Sequence, residues 1–358
     1  MLKTIMSNLS GKIQTVLGLI DPKELGITLA HEHLVVDVEC NFIMPSEATA
    51  KAVIDTKVSG KNIHDATRYW TTMKDNTHLY DERKTISEVI KYRLAGGDSI
   101  VDVTSIGIGR DPKALARISR ATDLNIIMGG SYYVPLSYPD DMDSKTEQSI
   151  YEDIVENILS GVGATGIKTG VIGEIGNHFP MSGNESKVLK ASARAQVETG
   201  APILIHPGFH KDSPKSIMKT LLDAGANPDN TIVGHLAITF DLKTILELAK
   251  SGCYLEFDTF GIEWTSMSAA QSTGTTGYTV PSDNERLGML ESLIDAGYED
   301  RILLAQDNFI KIQMTEFGGK GYAHILENIV PRMKTRNWPE SIIEKMLIEN
   351  PSRAFSFV

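Results

Sequence analysis

The stretch Leu29-Ala30-His31-Glu32-His33-Leu34 constrains this chain more than any other. A His-X-His pair stands at the end of an apolar run from Gly26 to Ala30. Side chains alternate along an extended strand, so His31 and His33 share one face and Glu32 takes the other. Two imidazoles roughly 7 Å apart along a strand are able to grip one metal ion. Taken alone they are equally a pair of ordinary histidines, because two ligands do not complete a site. A metal reading therefore requires the fold to bring further ligands to the end of this strand.

The rest of the chain supplies a repeating pattern. Gly11 to Ile20 reads as a short strand or hairpin, broken by Gly18 and stopped by Asp21-Pro22. Residues 40–80 are irregular and polar, with Tyr69, Trp70 and Tyr80, and read as a long insertion of the kind that covers a functional mouth or forms a subunit contact. From Asp81 onward, apolar positions at helical spacing alternate with short apolar runs. The predicted strands are a first one that follows the apolar run from Gly26 and ends with His31 and His33, then 99–104, 125–128, 166–176, 202–206, 231–235, 254–258 and 301–305. The predicted helices are 81–94, 111–122, 146–159, 185–199, 215–224, 242–250 and 284–296, with a helical tail from His324 interrupted at Pro331 and Pro339. Eight continuously apolar strands alternating with helices, without a break in composition, predict a parallel sheet closed into a (β/α)8 barrel over residues 1–358, one hydrolase domain. The alternative is an open doubly wound sheet. It calls for a Gly-rich nucleotide loop, and Gly107-Ile108-Gly109 lacks the third glycine.

In such a barrel the functional residues stand at the C-terminal ends of the strands. The first strand ends with His31 and His33, the fourth passes through Glu174, the fifth ends at His206, the sixth at His235 and the eighth leads into Asp307. Four of the nine histidines thus fall at predicted strand ends. Each has an ordinary reading alone: a satisfied buried histidine, an N-cap for Asp307, an ion pair for Glu174. Together they make six metal-type ligands at one mouth, more than one four-coordinate ion uses. The expected arrangement has two divalent ions about 3.5–4 Å apart. His31, His33 and Asp307 hold one, His206 and His235 hold the other, and Glu174 bridges them. Zinc is the first choice, with manganese, cobalt or iron as substitutes. A bridging hydroxide is expected to attack the substrate, and Asp307 to carry a proton from it to the leaving group.

With these motifs in hand, the chain resembles the phosphotriesterase-related family of the amidohydrolase superfamily. The likeness runs from Val16-Leu17-Gly18 through Thr28-Leu29-Ala30-His31-Glu32-His33 to Asn350-Pro351-Ser352-Arg353-Ala354-Phe355. The resemblance implies a (β/α)8 barrel with a binuclear centre and the same roles for the six residues. It also marks three departures. Most such enzymes bridge their metals with a carboxylated lysine on the fourth strand. Here Gly173-Glu174 stands in that place and Lys168 lies six residues earlier, so the chain is identified with a glutamate-bridged branch. Acidic residues that follow the sixth-strand histidine in phosphotriesterases are replaced by Leu236-Ala237-Ile238. The seventh strand ends Phe257-Asp258-Thr259 rather than with the usual Asp-His or Asp-Arg pair. Tyr132 matches a family tyrosine beside the metals and is a candidate substrate contact.

Net charge is −11 with no basic run, which argues against nucleic acid and anionic membranes as partners. Cys40 and Cys253 are too few for a disulfide framework and read as reduced thiols. No signal segment or membrane span is recognised, so a cytoplasmic enzyme is expected, acting on a small molecule and able to form a homodimer. The leading function is hydrolysis of a carboxyl ester, a lactone first, with phosphotriester cleavage as a side activity. The alternatives are an amidase of small N-acyl compounds and a non-catalytic binding protein on the same fold. Specificity is placed in the strand–helix loops, with Trp264 in the seventh loop and Lys311 in the eighth as candidate contacts.

Overall fold

The structure, a computed structural model, describes residues 9–263 and 280–358. It opens with an antiparallel hairpin, β1 (Ile13–Thr15) and β2 (Gly18–Ile20), which closes the bottom of the barrel. Val16 N donates to Ile126 O at 2.8 Å, and the buried Gln14 amide donates to Thr169 O and Ile158 O. The barrel strands begin with β3 (Thr28–Glu32). A two-stranded antiparallel clasp, β4 (Val36–Asp37) and β5 (His78–Leu79), then pinches off the insertion. The remaining strands are β6 (Ser99–Asp102), β7 (Asn125–Met128), β8 (Ile172–Gly176), β9 (Ile203–His206), β10 (Thr231–Val233), β11 (Tyr254–Phe257) and β12 (Ile302–Leu304).

All barrel pairings are parallel. β3, β6 and β7 form one run, and β8 through β12 form another in sequence order. The seams are closed by a parallel bridge from Gly129 to Val171 and by Asp307 N donating to His31 O at 3.2 Å. The ring of eight strands is the predicted (β/α)8 barrel. Its lumen is filled by Ala30, Val101, Val103, Ile127, Val171, Leu204, Ile232 and Leu303, stoppered by Ile13, Leu25 and Phe355, all buried. A larger apolar layer joins the outer strand faces to the helices.

Local chemistry starts the helices where the sequence places them. Asp81, Asp111 and Asp241 accept N-terminal backbone bonds. Thr146, Ser182 and Ser282 form reciprocal capping boxes. Helices thus run over Glu82–Leu94, Pro112–Thr122, Glu147–Leu159, Gly183–Thr199, Ser213–Asp223, Leu242–Ala249 and Asp283–Asp295. The fourth strand is shorter than predicted, because Gly163 to Gly166 turn the chain and leave Lys168 in the approach to β8. A short helix, Leu236–Thr239, follows His235 directly and was not foreseen. The insertion packs against the loop after β12. Trp70 meets Phe309 edge to face, and Asn76 Oδ1 accepts from Ile312 N. No helix among the described residues is long and apolar enough to cross a membrane.

Candidate metal centre

The end of β3 is shaped by its neighbours. The β3–β6 register gains one residue on β3 between Leu29 and Glu32, a bulge of the kind that re-aims side chains at barrel rims. His31 and His33 both turn into the mouth, with ring centroids 5.6 Å apart. Glu32 points away, and its buried carboxylate accepts from Gln306 N, Asn308 N and Asn308 Nδ2 at 2.8–2.9 Å. It therefore pins the backbone on both sides of Asp307. Asp102 accepts from Leu34 N and Thr104 N, and the Thr104 hydroxyl is 2.9 Å from His33 Nδ1.

Glu174 reaches the same point from β8, again through a bulge, between Ile172 and Ile175. Gly173 makes this possible: a Cβ there would lie 2.3 Å from Leu204 O. Glu174 Oε2 stands 3.3 Å from His206 Nδ1, 3.5 Å from His235 Nε2 and 3.6 Å from His31 Nε2. Its Oε1 stands 3.4 Å from His33 Nε2. Gly173→Ala is expected to displace this strand from β9 at a cost of about 1–3 kcal/mol and to lower the number of ions bound. Denaturation of the metal-stripped protein and metal analysis check this, and no change in either would mean that the strand has room to move.

His235 and Asp307 take left-handed backbone conformations, with φ of 56° and 51°. Such strain collects at functional sites when the surroundings hold it. Here Asp258 Oδ2 accepts from His235 N at 2.8 Å, and Gln313 Nε2 donates to Asp307 O at 2.7 Å. Asp307 Oδ1 lies 3.4 Å from His33 Nε2 and 3.7 Å from His31 Nε2.

Three overlapping groups of potential ligands result here among the described residues: His31, His33 and Asp307; Glu174, His206 and His235; and His31, His235 and Asp258, whose carboxylate lies on the Nδ1 side of both rings. Tetrahedral ligands at about 2.1 Å from an ion sit about 3.4 Å from one another, and the spacings above cluster there. His31 Nε2 and Glu174 Oε2 are buried without a hydrogen-bond partner among the described residues, a costly state unless a cation meets them. Charge points the same way. Burial works to lower His31 and His33, but the carboxylates of Glu256, Glu174, Asp258 and Asp307 outweigh it and raise them to about 9 and about 10. Burial and the adjacent His235 lower His206. The carboxylates therefore favour positive charge beside His31 and His33, while His206 is kept neutral, the form in which an imidazole binds a metal. The donor set fits divalent ions of the zinc type.

A sequence model described as the phosphotriesterase family matches residues 11–355. The chain belongs to the phosphotriesterase family. It is 42% identical over 354 residues to the N-acetyltaurine hydrolase of Xenopus tropicalis, covering 98% of this chain and 100% of that one. Among solved structures, a resiniferatoxin-binding protein from Rhodobacter sphaeroides superposes with a TM-score of 0.91 at 34% identity, over 97% of this chain and 95% of that one. A lactonase from Listeria monocytogenes gives a TM-score of 0.74 at 24% identity, over 97% of this chain and 99% of that one, a likeness of fold alone.

In this member of the family the other candidate contacts are differently placed. Tyr132 bridges to Ile106 and sends its hydroxyl to Asp153 Oδ2 at 3.1 Å, while the next ring, Tyr133, packs edge-on against His206 at 5.0 Å. Phe209 meets the same imidazole at 5.5 Å. Lys311, expected to meet a substrate anion, is paired with Asp75 of the insertion at 2.8 Å. Trp264 lies outside the described residues. Sequence reasoning missed the residues behind the ligands: Thr104 for His33, Glu256 for His31 and Asp258 for His235. The last two stand two apart on one strand face, a signal readable in Tyr254-Leu255-Glu256-Phe257-Asp258 once the strand is known to be buried.

Proposed function

We propose that this chain is a binuclear metal-dependent amidase that hydrolyses small N-acyl compounds. The observation that carries the substrate class is the full-length 42% identity to an N-acetyltaurine hydrolase. The lactone expected first has weaker support, since the lactonase likeness extends to the fold alone. His31, His33 and Asp307 would hold one ion, His206 and His235 the other, with Glu174 shared between them. Two divalent ions bound there would acidify a water and polarise the acyl carbonyl. The chain's own residues then supply order and proton transfer. Glu174 keeps the four imidazoles facing one point. Asp307 takes a proton from the attacking water and returns it to the leaving nitrogen, so the C–N bond breaks to a carboxylic acid and an amine. Tyr133 and Phe209 wall the histidine side of the mouth with apolar surface.

The test is zinc content together with turnover on N-acetyltaurine, N-acetyl amino acids, a lactone and a phosphotriester. About two ions per chain and turnover fastest on the N-acyl compounds are expected, lost on chelation and restored by zinc. Lactone turnover far above amide turnover would overturn the amidase reading and keep the metal centre. Full activity after complete metal removal would overturn the centre.

A further inference from the structure

We propose that Glu256 is a positioning residue for the ion held by His31, His33 and Asp307: it fixes His31 in the Nδ1–H form and turns Nε2 toward the centre. The inference rests on the metal-centre reading above. Along β11 and the residue that follows it, Tyr254, Glu256 and Asp258 alternate with Leu255 and Phe257, and the first three lie on the lumen side while the others join the outer core. The β12 partner of Glu256 in the ladder is Leu303, an aliphatic lumen residue. An acid at this level is costly, since a buried carboxylate loses its hydration and is kept only where a partner compensates. It lies fully buried with Oε2 2.9 Å from His31 Nδ1, and His31 is also fully buried.

The contrast with Glu32 identifies the role. Glu32 spends its carboxylate on two backbone amides and a side-chain amide, a bracing function. Glu256 makes one side-chain hydrogen bond among the described residues, to the His31 ring, and its Oε1 has no partner there. A carboxylate on Nδ1 requires the proton on that nitrogen, which leaves the lone pair on Nε2. Nε2 is the atom near Asp307 and Glu174, and it is buried without a hydrogen-bond partner among the described residues. Carboxylates behind metal-binding histidines set tautomer, ring angle and basicity in this way. Room is made by Gly234, where a Cβ would come within 2.9 Å of Asp258 Oδ2 and 3.0 Å of Glu256 Oε2. Asp258 contacts the Nδ1 atoms of His31 and His235 at 3.4 and 3.1 Å and also the His235 backbone, so its loss would not separate the two ions.

The experiment uses the full chain loaded with zinc and titrated with a chelator, counting ions retained. Glu256→Leu is expected to weaken one of the two ions by about 10–100-fold and leave the other as in wild type. Glu256→Gln, whose amide oxygen still accepts from Nδ1–H, is expected to recover most of that loss. Unfolding of the metal-stripped proteins should show Glu256→Leu at least as stable as wild type, which a bracing residue would not. Equal chelator resistance in wild type and Glu256→Leu overturns the proposal, as does loss of both ions together with lower stripped stability. Should Glu256→Leu not fold, Glu256→Asp, one methylene short of the ring, must weaken the same ion, and unchanged retention there overturns the proposal. Wild type that takes up no zinc overturns the metal centre itself, a result distinct from the others.

Discussion

Asp307→Asn is expected to lower kcat by about 10²–10⁴-fold, the usual worth of a positioned acid–base group, while the protein still folds. The fold should survive because the backbone here is held by other groups. Glu32 accepts from Gln306 N and Asn308 N, Gln313 donates to Asp307 O, and Asp307 N closes the barrel seam on His31 O. Asparagine keeps the size of the side chain and one oxygen able to face His33 and His31. It loses the negative charge and the ability to take up and return a proton. The two losses are separable. If Asp307 acted only as a ligand, lower metal occupancy would account for the fall, and excess zinc would restore kcat. If it moves the proton, kcat stays low at full occupancy while KM changes little. A fully loaded variant with wild-type kcat would move the proton-transfer role to another residue.

The barrel was legible in the sequence because its signals are local. Strands such as Ile126-Ile127-Met128 and Ile203-Leu204-Ile205 are continuously apolar, as a sheet covered on both faces requires, and six of the long helices begin at their own Asp, Ser or Thr cap. The six ligand-type residues could be named because their chemistry is rare and their places at strand ends are fixed by the fold. What stayed hidden depends on partners far away in the chain. Glu32 could be read as facing away from His31, but its partners stand 274 and 276 residues later. Lys311 could be read as an available cation, but Asp75, 236 residues earlier, takes it. Tyr132 and Tyr133 show a different limit. One residue of register decides which ring faces the mouth, and the left-handed turn at Ser131, φ 67°, is invisible in residue type. Glu256 carried no assignment from the sequence, because the imidazole it meets, His31, stands 225 residues earlier.

Glu174→Ala is expected to reduce the metal content from about two ions to one per chain and to lower kcat by orders of magnitude. The asymmetry follows from the ligand groups. In the proposed centre the first ion would keep His31, His33 and Asp307 without Glu174, the three protein ligands of an ordinary open catalytic site. The second keeps His206 and His235, which is one ligand short. Electrostatics sharpen the difference. Glu174 is held well below the usual carboxylate range: burial works to raise it, but His206, His235 and His33 outweigh that. Its charge is therefore present at the centre, and removing it would take a negative charge away from both ions of the proposed pair. Metal analysis after dialysis counts the ions directly. Unfolding gives a second reading, since a ligand at 100 times its Kd stabilises the native state by about 2.7 kcal/mol, so the gap between loaded and stripped protein should shrink by about one ion's share. Glu174→Asp separates charge from reach. It retains the carboxylate but stands one methylene farther from the imidazoles, so it should keep the second ion weakly and recover only part of the turnover. Two ions held as tightly in Glu174→Ala as in wild type would show that the centre is assembled without a bridge, and would leave the close approach of His206 Nδ1 to His235 Nε2, 2.7 Å, as the feature around which the second ion must be placed.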